Sequence, residues 1–223
     1  MPRRKTFLAT GEIYHIFNKT IGNERAFLNK KHNQRFLDLI DYYRFPQPKR
    51  YSYFARLSQR KKLEYWAKVK KTIPLAEIYA FAIMPNHFHF LLKQPEGEGI
   101  SKFMSNLQNS FAKYFNLRNN RSGSLFQNMF KAKRVENEEQ LIHISRYIHL
   151  NPVSSFLIEI NQLPEYPWTS LPCYLGRDFA GVISPDLILG VFGSAKKYQQ
   201  FIFDQADYQR KLQQIKHLLI KHP

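Results

Sequence analysis

The sequence predicts an α+β fold in which helices pack on one face of an antiparallel sheet. Three observations carry this. Segments of alternating hydrophobicity interleave with segments of helical periodicity in the order strand, helix, helix, strand, strand, helix, strand, helix. Of 223 residues, 43% are hydrophobic and 15% aromatic, and a chain of this length buries roughly 70% of its unfolded surface. The one cysteine, Cys173, excludes a disulfide framework or a multi-cysteine zinc site as the source of order.

Residues 12–18 alternate Ile13, His15 and Phe17 with Tyr14, Ile16 and Asn18, a half-buried strand ending near Gly22. Phe36, Leu37, Ile40 and Tyr43 mark a helix over 30–44, which Pro46 and Pro48 stop. A basic helix follows over 58–71, with Ser58 as N-cap and Pro74 just beyond its end. Residues 75–84 and 87–93 are apolar runs separated by Pro85-Asn86, the composition of a tight turn between antiparallel strands. After a polar loop at 95–99, Phe103, Leu107, Phe111, Tyr114 and Phe115 set a helix over 100–117. Residues 125–135 read as a basic strand. The next helix starts at Asn137, gains dipole stabilisation from Glu138 and Glu139, and ends at Pro152. Residues 156–223, punctuated by Pro164, Pro167, Pro172 and Pro185 and closing in a basic helix over 195–221, form a mainly helical C-terminal extension to a domain of residues 1–155.

Lys and Arg number 34 against 17 Asp and Glu, a formal charge of +17. That points to a polyanion, nucleic acid first and an anionic membrane surface second. No apolar run approaches the roughly 18 residues of a membrane span, and the N-terminal residues lack a secretory pattern, so the expectation is a soluble cytoplasmic protein. Residues 99–135 hold no Asp or Glu and carry Lys102, Lys113, Arg118, Arg121, Lys131, Lys133 and Arg134; residues 43–76 oppose ten basic residues with Glu64 alone. Aromatics interleave in both stretches. Such rings stack on unpaired bases where exposed and fill the core where not. Arg3, Arg4 and Lys5 read equally as a DNA-contacting arm or a frayed terminus.

His87-Phe88-His89 places two imidazoles on one face of a strand. Two imidazoles hold a metal ion only with further donors. Position 91 is Leu and no HExxH occurs, which disfavours the familiar hydrolytic schemes. On the late helix, Leu141, Ile144 and Ile148 form a core stripe, and His143, Tyr147 and Asn151 a second stripe beside it. Two readings of that second stripe stay open. In one, Tyr147 is a packing residue and Asn151 a cap before Pro152; in the other, Asn151 is an oxygen ligand one turn below a nucleophilic tyrosine.

Together, Ile83-Met84-Pro85-Asn86-His87-Phe88-His89, then Arg121-x-Gly123 with Leu125-Phe126-Gln127, then Tyr147-Ile148-His149-Leu150-Asn151-Pro152-Val153 resemble the single-tyrosine HUH transposase family (IS200-like). The REP-associated tyrosine transposase branch is the nearest likeness, over residues 8–156. The resemblance implies a ferredoxin-like antiparallel sheet, a divalent metal (Mg²⁺ or Mn²⁺), and a tyrosine that cleaves single-stranded DNA through a 5′-phosphotyrosine intermediate. It makes His87 and His89 metal ligands, Tyr147 the nucleophile and Asn151 the third ligand, and leaves His143 outside. It implies a hairpin-forming DNA partner, for which Lys113, Arg118, Arg121, Lys131, Lys133 and Arg134 are the candidate contacts. It admits a monomer or a homodimer that exchanges the tyrosine helix. The competing readings are a catalytically idle DNA-binding regulator, a metal-dependent nuclease using water, and an RNA-directed protein, separable by assay of cleavage, of a covalent product and of the 2′-hydroxyl.

Overall fold

The computed structural model describes residues 6–177 and 181–206. Arg3, Arg4 and Lys5, and the closing helix beyond residue 206, lie outside the described residues. The elements are β1 (Ile13–Lys19), α1 (Lys30–Tyr43), α2 (Tyr51–Ala55), α3 (Gln59–Val69), β2 (Glu77–Met84), β3 (His87–Lys93), α4 (Gly99–Arg118), β4 (Lys131–Arg134), α5 (Glu138–Ser154), α6 (Leu171–Tyr174), α7 (Asp186–Phe192) and α8 (Ala195–Phe203). The four strands form one sheet in the order β2-β3-β1-β4, the α+β arrangement expected from the sequence. The described residues divide into two compact units, one of residues 6–77, 85–87 and 92–134, the other of residues 78–84, 88–91, 135–177 and 181–206.

In the first unit, β1 pairs antiparallel with β4, from Tyr14 opposite Arg134 to Phe17 opposite Lys131. Tyr14 and Ile16 are fully buried. β4 is shorter than the run 125–135 suggests: pairing with β1 lapses over residues 128–130 and survives before them only as the Gln127 N–H bond to the Lys19 carbonyl (2.8 Å) and an isolated bridge between Thr20 and Phe126. α1 starts where the Asn29 side chain accepts from the Lys31 N–H, and α3 where Ser58 accepts from Lys61. Phe27 stacks on Phe111 at 4.9 Å and meets Phe36 edge-on at the same distance, which seats α1 against α4. Most rings of the basic stretch 43–76 are packing residues: Phe54 is buried and contacts Tyr65 and Trp66, while Tyr53 is exposed.

In the second unit, the Asn137 side chain caps α5 by accepting from Gln140, as the sequence predicts. Pro152 does not end that helix. It lies inside, two residues before the last, since proline's fixed φ is helical and its missing N–H costs one bond in the final turn. Residues beyond 155 are joined to β2. Ile83 N–H donates to the Trp168 carbonyl (2.8 Å), Ser170 N–H to Phe81 (3.0 Å) and Ser184 N–H to Ile78 (2.9 Å). The Tyr174 hydroxyl adds a bond of 2.6 Å to the Tyr79 carbonyl. These bonds satisfy backbone groups along β2, which the region's prolines hide from a periodicity reading. Among the described residues, no helix is long and apolar enough to cross a membrane.

Candidate active site

β3 opens on His87 and carries His89 two residues on, so both imidazoles project from one face; Phe88 and Phe90, on the opposite face, are fully buried. The turn before it sets the state of the first imidazole. Asn86 Oδ1 lies 2.7 Å from His87 Nδ1. An amide oxygen only accepts, so Nδ1 carries the hydrogen and Nε2 keeps the lone pair a metal needs. Burial, and then the charge of Lys19, push the His87 pKa down to about 4, so the ring is neutral at pH 7. The turn is itself pinned: Thr20 N–H donates to the Asn86 carbonyl (2.9 Å) and Phe27 N–H to that of Pro85 (3.0 Å).

α5 supplies the other groups. Tyr147 is 42% exposed, and its ring meets the imidazole of His89 edge-to-face, centroids 5.5 Å apart and planes at 88°. Asn151, one turn on, is buried, and its amide nitrogen donates to the Tyr147 carbonyl (2.8 Å). That bond turns the nitrogen to the helix and leaves the amide oxygen as the atom a cation would take. Burial raises the Tyr147 phenol above its usual range, and a hydrogen bond from Asn151 works against the rise. His143, on the same stripe, is instead a surface residue within 2.7 Å of an Arg146 guanidinium nitrogen and 3.9 Å from Glu139. Among the described residues, no three His, Cys, Asp or Glu come together. The donors available beside Tyr147 are therefore neutral nitrogen and amide oxygen. That set fits a divalent ion of borderline hardness such as Mn²⁺ better than Mg²⁺, and leaves the ion most of its charge.

The six candidate cations differ in what they are committed to. Lys113 and Arg118 are exposed on α4, and Lys131 and Lys133 are exposed on β4. Arg121 spends its guanidinium on its own loop, donating to Asn116 Oδ1 (2.9 Å) and to the Ser124 carbonyl (2.8 Å). Arg134 forms a two-pronged pair with Glu12 at 2.6 and 2.9 Å. Two residues of evident consequence escaped the sequence reading. Asn86 was legible only as a turn former, and His149 only as one letter of a motif, although it is wholly buried.

Within this α+β fold, β3 brings His89 against Tyr147 of α5. Residues 45–151 match the family model described as "Transposase IS200 like", and the segment contains His87, His89, Tyr147 and Asn151. That segment is similar to the IS200-like transposase family. A solved structure of a REP-associated tyrosine transposase bound to a REP hairpin is similar over 82% of this chain and 91% of that chain, with a TM-score of 0.54 and 15% sequence identity, a likeness of fold. None of the curated protein sequences compared matches.

Proposed function

We propose that this protein cuts and rejoins single-stranded DNA at hairpin-forming sequences through a 5′-phosphotyrosine link. The observation that carries the reading is the edge-to-face approach of Tyr147 to His89 within one chain. His87, His89 and Asn151 hold a divalent cation, Mg²⁺ or Mn²⁺, which when bound supplies a Lewis acid for the non-bridging oxygens of the scissile phosphate. The Tyr147 oxygen attacks phosphorus, its proton passes to solvent, the bond from phosphorus to the 3′ oxygen breaks, and that oxygen takes up a proton. Reversal by another 3′-hydroxyl reseals the strand without an external energy source, since one phosphoester has been exchanged for another. The exposed cations Lys113, Arg118, Lys131 and Lys133 neutralise phosphates along the bound strand.

The test uses hairpin-bearing single strands drawn from repeats flanking the gene, with Mn²⁺ present. The expected product on a denaturing gel is protein covalently joined to DNA, and Tyr147→Phe removes it while leaving strand binding within about twofold of the native protein. Cleavage with no protein attached would make this a nuclease using water, and binding without cleavage a regulator.

A further inference from the structure

We propose that the cavity walled by α1, α2 and α4 is a binding site for one unpaired nucleotide of a DNA strand, its base stacked among Arg35, Tyr51 and Tyr114 and its phosphates met by Arg50 and Lys113. The inference rests on the nucleic-acid reading above and adds a place and a recognition chemistry to it. The cavity measures about 690 Å³, within the range of roughly 300–1,000 Å³ usual for sites that take small organic groups. Its lining carries three cations and no Asp or Glu. The Arg35 guanidinium lies 4.8 Å from the ring centre of Tyr51 and 4.9 Å from that of Tyr114, so three elements converge on one planar cation. Tyr51 is fixed further by donating its hydroxyl to Asp38 (3.1 Å), which also occupies the nearby carboxylate. Asn109 and Ser110 add polar groups to the wall.

Each part matches a part of a nucleotide. Bases stack on tyrosine rings and on guanidinium planes whatever their identity, exposed lysine and arginine take phosphates, and side-chain amides reach base edges. The stacking groups are held before any ligand arrives, which lowers the ordering cost of binding.

The test measures binding of fluorescent dodecathymidylate and of the same backbone with every base replaced by an abasic sugar, using the full chain. Tyr114→Leu is expected to weaken the thymidylate strand by roughly 5- to 150-fold, the range for one lost base stack, and to leave the abasic strand unchanged. Arg50→Gln, an exposed position that does not threaten folding, is expected to weaken both strands alike and to reduce the salt slope by about 0.7. Equal losses on both strands from Tyr114→Leu, or none, would overturn the proposal. So would Arg50→Gln leaving the salt slope unaltered. Free thymidine monophosphate binding as tightly as the strand would also overturn it, by making the site one for mononucleotides. Adduct formation assayed on the same preparations separates the two readings: adduct without a base-dependent Tyr114 effect sinks this site alone, and a base-dependent effect without adduct sinks the transposase chemistry alone.

Discussion

Nε2 of His149 lies 2.7 Å from Oγ of Ser170, and that oxygen in turn accepts the backbone N–H of Phe81 at 2.8 Å. α5 is thereby fastened to β2 two residues after Tyr147. On the other side of the ring, Nδ1 lies 2.9 Å from the Tyr198 hydroxyl, which donates to Ser145 Oγ at 2.9 Å. The hydroxyl therefore accepts from Nδ1–H, and Nε2 accepts from Ser170. Every group in this buried chain has a partner, so removing the imidazole strands two hydroxyls and opens a cavity. His149→Ala is expected to lower unfolding free energy by about 3 kcal/mol, and Tyr198→Phe by about 1 kcal/mol. Urea titration of the two variants checks both values.

Burial drives the His149 pKa down to about 3, and burial with the charge of Lys133 drives that of His15 down to about 4. In the unfolded chain both titrate near 6.5. The unfolded state thus takes up protons that the folded state refuses. Stability from these sites is whole above pH 6.5 and falls as pH drops toward 4, with a limiting slope of about 1.4 kcal/mol per pH unit for each histidine. Unfolding free energy measured at pH 7, 6, 5 and 4 should fall steeply below 6, and a flat profile to pH 5 would contradict the burial of these rings.

Asn86 accepts from His87 Nδ1 and so holds the ring in the tautomer whose lone pair is on Nε2. Asn86→Ala keeps the imidazole but frees its orientation. Loss of such a supporting bond weakens metal binding by roughly 10- to 100-fold. Calorimetric titration with Mn²⁺ should show that loss, and adduct formation in the variant should recover at higher Mn²⁺, which a misfolded site would not permit.

Much of this site was readable from residue order because it depends on local periodicity. His87 and His89 had to share a face once 87–93 was a strand, and Ser58 and Asn137 had to cap once helices followed them. What could not be read depends on contacts distant in sequence. Arg121 and Arg134 look like free cations in a run without acidic residues, yet one is absorbed by its own loop and the other by Glu12, 122 positions away. The amphipathic stripe on α5 fails over residues 148–154, all buried, because residues beyond 155 also cover that half of the helix, Ser170 and Tyr198 both meeting His149. A single-stripe reading has no means of registering a second cover, and so His149 was legible only as one letter of a motif.

The difference between committed and uncommitted cations gives a contrast in DNA binding. Lys133→Ala should lower the salt slope of single-strand affinity by about 0.7 with little change in stability. Arg121→Ala should instead destabilise the loop after α4 by about 1–2 kcal/mol through its lost bonds to Asn116 and Ser124, and should alter the slope less. Affinity measured at four salt concentrations, with urea midpoints for both variants, separates the two roles.

Gly99 begins α4 where the helix end meets the chain leaving α3. Its backbone is not in the left-handed region, so conformational freedom does not explain it. A Cβ at Gly99 would fall well inside contact distance of the Leu75 carbonyl oxygen, a backbone atom with no side-chain route of escape. Gly190, within α7, has no atom within 4 Å of the equivalent point. The same substitution should therefore act with opposite signs. Gly99→Ala must displace backbone and is expected to cost about 1–3 kcal/mol, whereas Gly190→Ala removes the entropy penalty of a helical glycine and should gain about 0.5–1 kcal/mol. Denaturation midpoints of the two variants moving in the same direction would show that close approach of the chain at residue 75 does not set the start of α4.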